Sequence, residues 1–379
     1  VVLAAPAVED EALSEGLTMS RRFGEIKPLK TRGGRRLPRE GLSRILVRGT
    51  NWIGDAVMTL PALAWIRETY PRARITILAK PWVAAVYRLS PHVDDVLIFE
   101  RPGRHEGSAG LFRLAGALRK EGFDAAILLQ NAIEAAIIAS LAGIPIRAGY
   151  NTDGRGILLT HAVVVNREVR RIHQTRYYLE MVRALGCRGA ETRPRLKLTG
   201  EMEEIGERVW RRYNLEGRPL AGMAPGAAYG PAKRWPAARF SALADMLTET
   251  LAARVVLFGS AADGEVTGEV AAKARHDLLN LAGKTNLEEA VALIARCRLF
   301  VSNDSGLMHV SAALGVPTVA VFGSTNPVTT APLGEKVRIV RKDIPCSPCL
   351  KKRCRGDFAC MNLIGPEEVF AAAQAAWEA

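Results

Sequence analysis

From residue 44 onward, short runs of Val, Ile and Leu alternate with longer helical patterns, and this alternation narrows the fold of the 379-residue chain more than any other feature. In the first half the runs are Ile45–Val47, Ile75–Leu78, Val96–Ile98, Ala125–Leu129 and Val163–Val165. Their apolarity is continuous rather than alternating, which predicts strands covered by helices on both faces, the habit of parallel sheets. The segments between them, such as Leu111–Lys120 and Glu134–Leu141, are long enough for helical crossovers.

After a helical stretch near Arg171–Leu185 and a Gly/Arg/Pro-rich passage to Pro194, the pattern restarts. Strands are predicted at Leu220–Ala224, Val255–Phe258, Leu278–Leu281, Leu299–Val301 and Thr318–Phe322, with helices near Ala237–Leu251, Val266–Ala274 and Leu287–Ala295. The expected fold is therefore α/β, with two Rossmann-like, doubly wound domains at 44–194 and 195–365. Ligands of such sheets sit beyond the carboxyl ends of the strands, so loops from both halves are expected to face a shared cleft. A last helix, Pro366–Trp377 within residues 366–379, is expected to pack back on the first half.

Residues 1–43 carry no sustained periodicity. Positions 1–18 hold four acids and no base, positions 19–44 nine Lys or Arg against two Glu, and the segment is expected to be a disordered basic extension. It lacks the basic start, apolar core and cleavage site of a signal peptide, and Met19 is an alternative start. The longest apolar run, Ala135–Ile146, contains Ser140, Gly143 and Pro145 and is too short to span a bilayer. The formal charge is +13, of which residues 1–44 contribute only +3, so the folded body is itself basic and favours acidic partners. Arg167, Arg170, Arg171, His173 and Arg176 crowd one stretch; Lys351, Lys352, Arg353 and Arg355 crowd another. Aromatic residues are few and not interleaved with these charges, which argues against a single-stranded nucleic-acid platform.

Chemistry concentrates at strand ends. Asp304-Ser305-Gly306-Leu307-Met308-His309 follows the strand at Leu299–Val301 and opens a helix whose apolar face is Leu307, Val310 and Leu314, with Gly315 and Pro317 as stops. A helix start offers unpaired N–H groups and partial positive charge, and Gly306 opens the backbone, so the stretch is an anion cradle suited to a polyphosphate donor. The strand around Arg44–Arg48 runs through Gly49-Thr50-Asn51-Trp52-Ile53-Gly54 into Asp55, where a second helix is predicted to begin. Pro61 either kinks it or opens a second segment. Asp55 and Asp304 could each be plain helix caps. Capping leaves unexplained why two glycines bracket a polar loop with a Trp, as where something approaches the backbone closely.

Between strand Leu220–Ala224 and helix Ala237–Leu251, the glycine- and proline-shaped loop 225–236 carries Lys233, a point charge for phosphate, and Arg234, a forked donor. Asp263 and Glu265, after Phe258-Gly259, are alternative acceptors for ribose hydroxyls. Cys346, Cys349, Cys354 and Cys360 form a C-x2-C-x4-C-x5-C tail cluster that could bind zinc or close disulfides; its spacing is not that of a paired-knuckle zinc site, so plain thiols or a structural clip are expected above a metal, with reduced thiols favoured where no secretory signal is present.

Three of these stretches, Arg48 to Asp55, Pro225-Gly226 with Lys233-Arg234-Trp235-Pro236, and Asn303-Asp304-Ser305-Gly306 with His309, resemble the bacterial lipopolysaccharide heptosyltransferases of glycosyltransferase family 9. The likeness runs over residues 44–365, and the Asn51-Trp52 and Gly230-Pro231-Ala232-Lys233 forms are closer to the heptosyltransferase II branch. The resemblance implies a GT-B glycosyltransferase that inverts configuration, needs no metal or cofactor, and moves L-glycero-D-manno-heptose from its ADP donor to a heptosyl-Kdo2-lipid A inner core. It implies a cytoplasmic enzyme, peripheral on the anionic inner membrane surface, without a nucleic-acid partner. By that likeness Asp55 is the catalytic base, Lys233 the diphosphate contact in catalysis, and Asp263, Asp304, Ser305, Gly306 and His309 bind the donor. Asp304, an awkward neighbour for a diphosphate, is expected to turn toward the helix cap or the ribose.

Two other readings share the plan: a relative acting on a different acceptor, and a sugar-nucleotide 2-epimerase, which would need no acceptor. A basic nucleic-acid-binding protein rests on charge alone and leaves Asp55 and the glycine-bracketed loops unexplained.

Overall fold

The computed structural model describes residues 27–378. The first six strands, β1 (Arg44–Arg48), β2 (Arg74–Ala79), β3 (Asp95–Ile98), β4 (Ala125–Leu128), β5 (Ile146–Tyr150) and β6 (His161–Val163), form one sheet in the order β3-β2-β1-β4-β5-β6. A second sheet comprises β7 (Leu220–Ala224), β8 (Arg254–Leu257), β9 (Leu279–Asn280), β10 (Cys297–Asn303), β11 (Thr318–Phe322) and β12 (Val337–Arg341), in the order β12-β11-β10-β7-β8-β9. Neighbouring strands within both sheets are parallel, and counted from its own first strand each has the Rossmann order. In each sheet the order reverses beside the first strand, between β1 and β4 and between β7 and β10, which opens a crevice at the strand ends there.

Side chains along the central strands divide between two apolar layers. Ile45 and Val47 enter one core with Ile75, Ile77 and Ile127, while Leu46 enters the opposite core with Leu78, Ala126 and Leu128. Burial of each such side chain is worth roughly 1.5–3 kcal/mol, which is why these strands read as unbroken apolar runs. The first of these cores continues into the second lobe through Val291, Ala292, Val310 and Ala313, so the lobes are joined at the cleft floor by apolar contact.

Two strands escape the sequence pattern. In β5, Gly149 interrupts the run because a Cβ there would stand 3.0 Å from the Leu128 carbonyl oxygen and 3.2 Å from Arg155. Strand β12 lies at the sheet edge, where Arg338 and Ile339 are exposed and only Val340 is buried, so no continuous apolar run is needed. A helix at Gly200–Arg212, capped by Thr199, was also unassigned; it is highly charged, and among its residues Met202, Gly206 and Val209 are buried.

Two expectations are corrected. Of the segment expected to be disordered, residues 27–43 pack on the first lobe: Thr31 bridges Val163, the Leu37 N–H donates to the Leu185 carbonyl, and Leu37 is buried. Its backbone satisfies an edge strand and one apolar side chain anchors it, which charge counting does not reveal; residues 1–26 lie outside the described residues. The Pro366–Trp377 helix packs on the second sheet, not the first half, since Val369, Ala373, Ala376 and Trp377 bury against the core of Phe240, Val319 and Val321.

Candidate active site

Between the lobes lies a cleft of about 930 Å³, lined from both sheets. Its floor is a contact between two helix starts. The helix Ile53–Met58 follows β1, and the helix Gly306–Ala313 follows β10; they meet across the lobes. A Cβ on Gly54 would stand 2.8 Å from His309 Cδ2, and one on Gly306 would stand 2.8 Å from the Cβ of Ile53. Both glycines are therefore required by helix-to-helix approach, a reason for Gly306 beyond the open backbone expected of it.

Asp55 sits in the first turn of its helix and lines the cleft; the cap position belongs to Trp52, whose carbonyl accepts from the Ala56 N–H. A second helix, Leu60–Thr69, places Pro61 in its first turn, so the proline opens a segment rather than kinking one. Burial pushes the Asp55 carboxyl up to about 6, with Lys233 opposing and Asp304 adding to the rise. A carboxylate so poised holds and releases a proton near neutral pH.

Lys233 reaches the same cleft from the loop after β7. Its Nζ donates to Asp304 Oδ2 at 2.6 Å, and Thr325 Oγ1 donates to that oxygen at 2.6 Å. The Asp304 side chain thus neither caps the helix nor stands free: it anchors the lysine, because a largely buried cation and a buried carboxylate each lower the cost of the other's desolvation. The Lys233 ammonium also lies 5.0 Å from the Tyr229 ring centre. Ser305 takes the N-cap position with no side-chain cap bond, and its hydroxyl meets Ser302 Oγ at 2.9 Å, so no side chain of the cap residue occupies the first N–H groups of the Gly306–Ala313 helix. His309 is buried beside Gly54, and burial drives its imidazole down to about 4, with Asp304 opposing, so it is neutral at pH 7.

Of the two carboxylates after β8, Asp263 lines the cleft and Glu265 does not. Asp263 Oδ2 accepts from the Ser260 N–H at 2.9 Å and from Ser260 Oγ at 2.7 Å, while its other oxygen faces Gly226, where a Cβ would stand 2.2 Å from it. Arg234 is not among the cleft-lining residues. Asn303 was read only as part of its motif, without a role, yet it ties the loop after β7 to β10: its Oδ1 accepts from the Trp235 N–H at 3.0 Å and its Nδ2 donates to the Pro225 carbonyl at 2.7 Å. Its place in the Asn-Asp-Ser-Gly run was the available signal. Thr325, Asn286 and Glu288 were also missed, being single polar residues that only folding gathers. Among the described residues, no group of three or more His, Cys, Asp or Glu side chains is placed to hold a metal ion, and all six cysteines are free.

Residues 111–359 match the model of glycosyltransferase family 9 (heptosyltransferase). The chain belongs to glycosyltransferase family 9. This family 9 chain is 36% identical over 307 residues to lipopolysaccharide heptosyltransferase 2 of Escherichia coli (strain K12), covering 79% of this chain and 88% of that one. It is 37% identical over 310 residues to lipooligosaccharide heptosyltransferase 2 of Haemophilus influenzae, covering 78% and 88%. The structure of E. coli ADP-heptose LPS heptosyltransferase II superposes with a TM-score of 0.76 at 31% identity, covering 88% of this chain and 98% of that one. A family 9 structure from Veillonella parvula gives 0.78 at 26% identity, over 89% and 97%. This glycosyltransferase therefore has the GT-B plan, two Rossmann-like lobes about a cleft. No helix among its described residues is long and apolar enough to cross a membrane.

Proposed function

We propose that this family 9 enzyme transfers L-glycero-D-manno-heptose from ADP-heptose to the first heptose of a heptosyl-Kdo2-lipid A acceptor in lipopolysaccharide core assembly, with inversion and without a metal. The observation that carries the reading is the meeting, in one cleft, of a carboxyl raised to about 6 with a lysine and an uncapped helix start. An acceptor hydroxyl is a weak nucleophile, and Asp55 takes its proton as it attacks the anomeric carbon. A single displacement from the opposite face inverts that carbon and breaks its bond to the ADP oxygen. Negative charge then grows on the departing diphosphate, where Lys233 and the N–H groups after Ser305 stabilise it without reorganisation. Asp263 holds the ribose, Gly306 admits the diphosphate to the backbone, and neutral His309 and Asp304 complete the donor side.

The basic body and the cluster at Lys351, Lys352, Arg353 and Arg355 support a cytoplasmic location with peripheral attachment to the anionic inner membrane surface. Incubation with ADP-heptose and a mono-heptosylated core acceptor, chelator present, is expected to yield an acceptor heavier by one heptose. Donor consumption without acceptor would favour epimerase chemistry, and no product in chelator alone would reinstate a metal.

A further inference from the structure

The two walls of the cleft differ in chemistry. The second lobe presents Lys233, Asp263, Asn286, Asp304 and Ser305, the groups that a diphosphate and a ribose require. The first lobe presents Trp52, Met58, Pro81, Trp82 and Ala85, and Asp55 and Arg88 are the charged side chains it adds. Trp52 is 60% exposed and Trp82 47% exposed. Single exposed apolar residues are ordinary, but two open indoles on one concave wall beside a reactive carboxyl are not. The Lys80 ammonium lies 5.8 Å from the Trp82 ring centre, and both rings line the cleft.

The two indoles stand on the neighbouring loops that follow β1 and β2. Trp52 caps the helix that carries Asp55. Trp82 lies in the single turn Pro81–Val83 after β2, and its Nε1 donates to the Asn51 carbonyl at 2.8 Å, which ties it to the loop that places Asp55.

We propose that Trp52 and Trp82 form an aromatic platform that receives the saccharide rings of the acceptor; this rests on the heptosyl transfer proposed above. A pyranose shows C–H bonds on its face and hydroxyls at its rim. The C–H face settles on the electron-rich indole face, while the rim hydroxyls stay turned toward Asp55; Arg88 donates to Glu288 Oε1 across the cleft at 2.8 Å. An apolar wall without many hydrogen-bond donors thereby recognises a polar ligand, and it orients the attacking hydroxyl toward the base. The diphosphate and the ribose need no part of this wall, because their polar partners stand opposite.

The test uses the full-length enzyme, ADP-heptose and the mono-heptosylated core acceptor in lipidated and delipidated forms. Trp52→Ala and Trp82→Ala are each expected to raise the acceptor KM at least tenfold on both forms, with kcat lowered less than threefold and the ADP dissociation constant unchanged by calorimetry. Trp82→Phe, which keeps an aromatic face but loses the bond to Asn51, is expected to stay within threefold of the wild-type KM. An unchanged acceptor KM in both alanine variants overturns the platform. So does a weakened ADP affinity, which would give the rings to the nucleotide, or a Trp82→Phe variant as impaired as Trp82→Ala, which would make the indole a strut. An effect confined to the lipidated form, or wild-type activity confined to it, assigns the wall to lipid and likewise overturns it. A wild-type enzyme inactive on both forms instead sinks the transfer reaction itself.

Discussion

Lys233 Nζ, from the loop after β7, and Asp304 Oδ2, just past β10, stand 2.6 Å apart, so the cation proposed for the donor diphosphate is already held by a carboxylate. Both side chains are largely buried, and Thr325 donates to the same oxygen. Donor binding then exchanges one anionic partner of Lys233 for another or shares it between two. The lysine is preorganised, and the carboxylate that looked out of place beside a diphosphate is what preorganises it.

Lys233→Ala is expected to weaken ADP binding tenfold or more by calorimetry and to lower stability by about 3 kcal/mol, because Asp304 is left buried and unpaired. The double variant Lys233→Ala/Asp304→Ala should regain part of that stability in denaturant titration. An unaltered ADP affinity would remove Lys233 from the donor site.

Transfer should depend on Asp55 in its ionised form. With its carboxyl at about 6, kcat/KM is expected to fall about tenfold per pH unit below that value and to level off above pH 7. Asp55→Asn should abolish transfer at every pH while ADP still binds. A flat rate profile between pH 5 and 7, or turnover in the variant, would exclude this base.

The same raised carboxyl predicts a cost in stability. The unfolded chain ionises Asp55 near 3.8 and the folded one near 6, so the folded state binds the proton more tightly, and the penalty for its charge grows as pH rises through that window and is complete above it. Asp55→Asn is therefore expected to stabilise the protein at pH 8, by at most about 3 kcal/mol since the side chain partly faces the cleft, and to do little at pH 3.5. Thermal melts at the two pH values compare directly; equal shifts at both would show that burial of the charge is not the cause.

Gly306→Ala would place a Cβ 2.8 Å from the Cβ of Ile53, an atom that cannot move without its backbone, so the lobes must separate. Asp55 would then retreat from the donor side, and kcat is expected to fall at least tenfold. Gly54→Ala, meeting the ring edge of His309 instead, should lower kcat with ADP affinity retained. Wild-type turnover in both would show that the helix contact does not set the reacting distance.

Asn303→Ala should cost about 2 kcal/mol, since the buried Trp235 N–H and Pro225 carbonyl both lose their partner. ADP affinity should fall as the 225–236 loop loosens. Undiminished stability would mean that Trp235, buried against Phe240, holds the loop by packing alone.

Local pattern and turn chemistry carried much of the architecture. The bounds of β7, β11, Ala237–Leu251 and Pro366–Trp377 follow from apolar period, Gly and Pro, because strands buried on two faces leave no room for polar residues. Strand ends followed by glycine-bracketed polar loops marked Asp55, Lys233 and the Asp304–His309 stretch. Edge strand β12 and glycine-bearing β5 lacked such a signature, since their conformation comes from neighbours rather than from their own side chains.

Which partner each polar group takes was set by folding. Asp304 on Lys233, Asp263 rather than Glu265 in the cleft, and Asn303 on two backbone groups of another loop are contacts between residues far apart in the chain. Residue order encodes which strands form and where their ends turn. It does not encode distance across a cleft, and burial, proton affinity and the need for glycine at Gly54 and Gly306 all depend on that distance.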